Sequence, residues 1–132
     1  MPIRVVRLGS RRAAGEGLRL GTVRRPPRGV RKQDYARRNY FDLWMPELAP
    51  GAALVKWAGS APFTPARWAR FARKYRQEMR APSAQRLLQL LAALSSSTNL
   101  AVGCYCDDES RCHRSVLREL LQEAGAAIHS NR

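Results

Sequence analysis

Three cysteines, a histidine and an arginine fall in one short stretch near the end of the chain: Cys104, Cys106, Cys112, His113 and Arg114. Such residues admit three kinds of chemistry. As metal ligands, Cys104, Cys106, Cys112 and His113 supply the four soft or borderline donors that tetrahedral zinc takes. Their spacing fits less well, because residues two apart on a strand share a face whereas the adjacent Cys112 and His113 diverge. As catalytic groups, Cys112 is a candidate nucleophile and His113 an acid or base. A cysteine at a helix N-terminus is favoured as thiolate by the free amides, and Arg111, His113 or Arg114 would add to that. As structural groups, the thiols are small buried hydrophobes, and Cys112 and His113 satisfy backbone groups at the helix start. That helix start also suits an anion. The preceding Asp107, Asp108 and Glu109 would repel one, although acids suit a helix start as well.

The elements that must position these residues are a strand and a helix. Leu100–Cys104 is a compact apolar run, too apolar for an exposed edge, and residues 112–124 turn Val116, Leu117, Leu120, Leu121 and Ala124 to one face before Gly125. Upstream, residues 3–8 alternate apolar and basic side chains as a half-buried strand does, and residues 18–23 read as a second short strand. Residues 42–51, broken by Pro46 and Pro50, read as a structured loop before a short helix over 52–58. Thr64 followed by Pro65 is a helix-start signal, and Trp68, Phe71, Ala72, Tyr75 and Met79 form its apolar stripe. Ser83 is the expected cap of a further helix to Leu94, whose leucines at 87, 88, 90, 91 and 94 are numerous enough for burial on more than one side. Residues 126–128 read as a last strand fragment. Strands alternating with helices predict a small single α/β domain over residues 1–132, with a short, partly parallel sheet and flanking helices. In such folds ligands collect at the carboxyl ends of the strands.

Charge points to a partner. The net charge is +14, and 12 of the 24 Lys and Arg residues lie in residues 1–40, against two acids, Glu16 and Asp34. A surface of this sign attracts polyanions and releases counterions on binding them. The loop Arg24-Arg-Pro-Pro-Arg-Gly-Val-Arg-Lys32 supplies Arg24, Arg28 and Lys32 as anion-binding candidates, with Arg114 across the fold. The expected partner is a nucleic acid or a phosphorylated small molecule. Arginine-for-lysine and alanine bias of the kind seen here also arises from GC-rich coding, and the Arg-rich loops within residues 9–40 have the composition of a solvated, flexible arm. Nine of the ten aromatic residues lie from Tyr35 to Tyr75, suited either to packing or to stacking on bases. No run of signal-peptide or membrane-span length occurs, so a cytoplasmic protein without a membrane partner is expected. An odd number of cysteines argues against a disulfide framework. No cofactor is predicted, zinc being the one metal that the cysteine pattern admits. Whether the protein is an enzyme stays open, and oligomeric state leaves no mark in the sequence.

The succession Arg-Pro-Pro-Arg-Gly-Val-Arg-Lys32, Asp42-Leu-Trp-Met-Pro-Glu-Leu-Ala-Pro50, Lys56-Trp57, Trp68 to Tyr75 and Cys112-His113-Arg114 resembles the YeaO-like bacterial proteins, domain of unknown function 488, from about residue 18 to residue 124. The resemblance implies a compact α/β domain and brings no established activity, cofactor or substrate. Where the family reads Asp-Arg-Leu-Trp-Pro-Arg-Gly, this chain has Val23-Arg-Arg-Pro-Pro-Arg-Gly29, so the acid and the tryptophan are lost while Arg24, Pro27, Arg28 and Gly29 are kept. Gly51 stands where the family usually has a capping Ser. Some relatives lack the thiols but keep the histidine, so the resemblance marks His113 as the shared feature.

Overall fold

The structure, a computed structural model, describes residues 2–129; of the expected C-terminal tail, residues 130–132 lie outside the described part. Four strands, β1 (Ile3–Arg7), β2 (Leu18–Gly21), β3 (Leu43–Trp44) and β4 (Leu100–Cys104), make one sheet in the order β1-β4-β2-β3. Every pairing in it is parallel, as the expectation of at least partly parallel pairing allowed. β4 lies between two neighbours and all five of its residues are buried, which is why it reads as a continuous apolar run rather than an alternating one. The expected fragment near residue 128 is a single parallel bridge from Ile128 to Ile3.

Four helices follow from local signals: α1 (Ala52–Ala58), α2 (Pro65–Glu78), α3 (Pro82–Leu94) and α4 (His113–Glu123). Thr64 Oγ1 accepts from the Arg67 amide, as a Thr cap before Pro65 should. α3 departs from expectation. Its N-cap is Ala81, with Pro82 at the first helical position and no side-chain cap, because proline fixes the helical φ one residue before Ser83 could act. Leu88 and Leu91 are buried, but Leu90 and Leu94 are exposed on the outer face, so the helix is covered on one side only. β3 was not expected. Its two residues are both exposed, and a pair followed by Met45-Pro46 carries no periodicity to read.

The sheet has two unlike faces. Ile3, Val5, Leu20, Leu100 and Val102 pack with Phe71 and Tyr75 of α2, Leu88 and Leu91 of α3, and Val116, Leu117 and Leu121 of α4. The intervening residues Arg19, Gly21, Ala101 and Gly103 face loops instead. A Cβ at Gly103 would lie 2.6 Å from the Leu8 side chain and 2.9 Å from the Val6 carbonyl, and one at Gly21 would collide with the Phe41 ring. Glycine is therefore required where the loops press on the sheet.

Arg19 fastens those loops. It is fully buried, with Nε and Nη2 donating to the two Glu16 carboxylate oxygens at 2.8 and 2.9 Å, and Nη1 donating to the carbonyls of Ser10 and Asn39. Asp42 joins the same strand through the Arg19 amide at 2.8 Å and pairs with Arg12. Burial opposes ionisation of Glu16, but the hydrogen bonds from Arg19 and from the Ala13 amide outweigh it and hold the carboxyl below the usual range. Its contribution to stability is therefore full above about pH 4.3, the ordinary glutamate value, and is lost as pH falls through the folded-state value. Glu16→Gln, which leaves the Arg19 charge buried without its counterion, is expected to cost about 3–5 kcal/mol. It should also flatten the acid limb of stability. Denaturant titration at several pH values measures both, and an unchanged acid limb would count against this role of Glu16.

Candidate functional site

The carboxyl ends of β2 and β4 open into a cavity of about 1130 Å³. Its floor is Cys104 at the end of β4, Cys106 two residues on, and Cys112 and His113 at the start of α4. One wall is the loop from Val23 to Arg28, and the other is α1 and α2, which contribute Lys56, Trp57, Arg67, Trp68 and Phe71. This is the place where parallel α/β sheets bind ligands, since helix N-termini and loop backbone converge there.

The sequence places the thiols together for a simple reason: Cys104 and Cys106 leave β4 on one side, and the short return to α4 brings Cys112 back to them. The three Sγ atoms lie within 4.8 Å of one another. Cys104 donates to Cys106 at 3.8 Å. All three cysteines are free, with Cys104 and Cys112 buried and Cys106 exposed. Cys112 is the N-cap of α4, with no side-chain cap bond, so its sulfur sits at the positive end of the helix. Hydrogen bonds from Cys104 and Cys106 lower the Cys112 pKa, and His113 adds to this against the opposing effect of burial. Cys104, which gives hydrogen bonds to both other sulfurs and is buried, is pushed up. Cys106 receives a hydrogen bond from Cys104, yet the one it gives to Cys112 and the cost of desolvation leave it raised as well. The cluster thus favours one thiolate, at Cys112, served by two thiols.

His113 is not in the sulfur set. Its Nε2 meets the Thr22 carbonyl at 2.7 Å, and since a carbonyl only accepts, Nε2 carries the proton. Nδ1 faces Cys112 Sγ at 3.7 Å, accepting from the thiol when the ring is neutral and donating to the thiolate when both ring nitrogens carry protons. The ring is buried, edge-on to Tyr75, whose hydroxyl donates to the Leu48 carbonyl. Arg114 is buried and does not line the cavity; its Nη2 donates to the Cys106 carbonyl at 2.6 Å, and its Nε has no hydrogen-bond partner among the described residues.

Of the basic loop, Arg24 and Arg28 line the cavity and Lys32 does not. Arg24 is largely committed to backbone, donating to the carbonyls of Pro46, Ala49 and Pro50. Arg25, Lys56, Arg67 and Arg111 also line the cavity, as do the aromatic walls; the sequence carried no signal that α1 and α2 would face the thiols. Among the described residues no carboxylate belongs to the lining. The three acids before α4 are used elsewhere: Asp107 pairs with Arg7, Asp108 caps the turn at Ser110, and Glu109 pairs with Arg118. Among the described residues no helix is long and apolar enough to cross a membrane.

The thiolate assignment is open to direct measurement. Ultraviolet thiolate absorbance against pH is expected to retain one thiolate well below the ~8.5 of a free cysteine. Cys112→Ser should abolish that component, and its persistence in the variant would place the charge on another sulfur.

A family profile described as the active DUF488-N3 subclade, DUF488-N3a, matches residues 3–125. No curated protein and no solved structure matches the chain. With nearly its whole length under that profile, the chain belongs to the DUF488 family of YeaO-like proteins.

Proposed function

We propose that the cavity binds an anionic ligand bearing an aromatic ring, namely a nucleotide, either free or within single-stranded nucleic acid. The observation that carries this reading is the sign of the lining: among the described residues it has six cationic side chains, Arg24, Arg25, Arg28, Lys56, Arg67 and Arg111, and no carboxylate. A concave, low-dielectric wall focuses a field of one sign, so these charges act together on a ligand that enters. Arg25, Arg28 and Lys56 are exposed and make no ion pair among the described residues, which leaves them for phosphate. The wall opposite the loop adds aromatic rings to its cations. Phe63, nearly half exposed, has the Arg111 guanidinium 4.4 Å from its ring centroid, and Trp57 lies under Arg67 at 4.1 Å. Stacking on such rings tolerates any base, whereas the arginines recognise the phosphates.

A second reading, thiol-dependent catalysis by Cys112, draws support from its place at the helix start with His113 Nδ1 beside it, on the floor of the same cavity. The family description calls the subclade active without naming a reaction.

Tryptophan fluorescence titrations with mononucleotides and short oligonucleotides at several salt concentrations test the binding. Saturable binding that weakens with salt is expected. Arg25→Ala and Arg28→Ala should each reduce the slope of log affinity for an oligonucleotide against log salt by roughly 0.7–0.9 per lost phosphate contact. No binding even at low salt would end the proposal.

A further inference from the structure

We propose that Cys104, Cys106 and Cys112 hold a thiophilic divalent cation of the zinc class through three sulfurs, with its fourth position open to the cavity. Zinc–sulfur bonds of ~2.3 Å in a tetrahedron set sulfur–sulfur edges of about 3.8 Å. Cys104 and Cys106 already stand at 3.8 Å, and all three sulfurs lie within 4.8 Å, so closure on an ion needs side-chain rotation of about 1 Å and no refolding.

The three ligands sit on well-fixed backbone. Cys104 ends the central strand, Cys112 begins α4, and the segment between is tied down by Arg114 to the Cys106 carbonyl, by Asp108 to Ser110, and by the Tyr105 hydroxyl to the Arg25 carbonyl at 2.9 Å. Such ties hold ligands in place before the ion arrives.

Charge balance also favours this occupant. Three thiolates and a dication leave one negative charge, which a buried site must compensate. Arg114, only 3 % exposed, has no carboxylate partner among the described residues and is held beside the cluster by its Nη2 hydrogen bond to the Cys106 carbonyl at 2.6 Å. The uncapped N-terminus of α4 and the cationic cavity wall add to it. The absence of carboxylates from the lining disfavours calcium or magnesium, which take oxygen donors.

His113 is not among the ligands: its Nδ1 faces Cys112 Sγ at 3.7 Å but does not join the group of ligand atoms lying within 4.8 Å of one another, which the three sulfurs alone form. The vacant direction faces the cavity that all three cysteines line, which is the arrangement of a zinc ion able to take water or a ligand atom. This inference rests on the sulfurs and stands apart from nucleotide binding.

The test uses the reduced full-length chain with Zn²⁺ or Co²⁺ alone. Expected are one zinc retained per chain after dialysis and, with Co²⁺, an intense thiolate-to-cobalt charge-transfer band together with the visible bands of a tetrahedral ion. Added cyanide should shift the visible bands, reporting the open position. Cys104→Ser, Cys106→Ser and Cys112→Ser should each weaken zinc by more than the roughly 10–100-fold that loss of an outer hydrogen-bond partner costs. His113→Ala should keep the charge-transfer band. Cys106 is exposed, so Cys106→Ser decides the matter if the buried variants do not fold. No retained zinc, no charge-transfer band, or undiminished uptake by Cys106→Ser would overturn the proposal, whatever the nucleotide titrations give.

Discussion

A strand hydrogen-bonded on both edges and buried on both faces leaves its neighbours little choice, and β4 imposes that constraint here. Its register fixes β1 and β2 alongside in the same direction, and its side chains divide the molecule into a helical side and a loop side. Leu100 and Val102 receive the helices, while Ala101 and Gly103 are small enough for loops to approach. Cys104 is the last residue of this strand, so the first sulfur of the cluster is set by the sheet itself. The remaining sulfurs depend on how the chain returns.

The loop side illustrates how a basic segment is kept in place without apolar residues to bury. Arg19 is a strand residue whose guanidinium makes four hydrogen bonds, two to the Glu16 carboxylate and two to carbonyls of the loops on either side of its strand. A buried pair of this kind adds little net energy compared with an apolar core, but losing one partner is costly. It therefore acts as a specifying device, and it holds one end of the segment whose other end carries Arg24, Arg25 and Arg28 to the cavity.

Much of this was legible in the residues, and the illegible parts share a cause. The helix over Ala52–Ala58, the Thr64-Pro65 start and the apolar run at Leu100–Cys104 are local signals and appear where the pattern puts them. β3 is two exposed residues on a sheet edge, and no period can be read from two positions. Ser83 looks like a cap only if the proline before it is ignored. That Arg24, which lines the cavity, also donates to three carbonyls around the proline-broken segment is likewise invisible in the sequence. The acids at 107 and 109 look repulsive for a similar reason, since Asp107 pairs with Arg7 from the far end of the chain and Glu109 with Arg118 along α4. Distant pairing decides the electrostatics, and spacing does not report it.

The cysteines show where sequence spacing is informative and where it stops. A Cys-x-Cys pair at a strand end puts two sulfurs on one side, and adjacent residues at a helix start diverge; both inferences survive in the structure, which joins Cys112 to the pair and turns His113 toward Thr22. His113 ties α4 to the end of β2 whatever occupies the sulfur positions, because its bond to the Thr22 carbonyl and its edge contact with Tyr75 do not involve them. The cluster is thus an elaboration placed on a joint that the fold already needs. A chain that adds three sulfurs at that joint, beside a buried arginine and under a wall of cations, has assembled charge compensation that a merely packed set of thiols would not require.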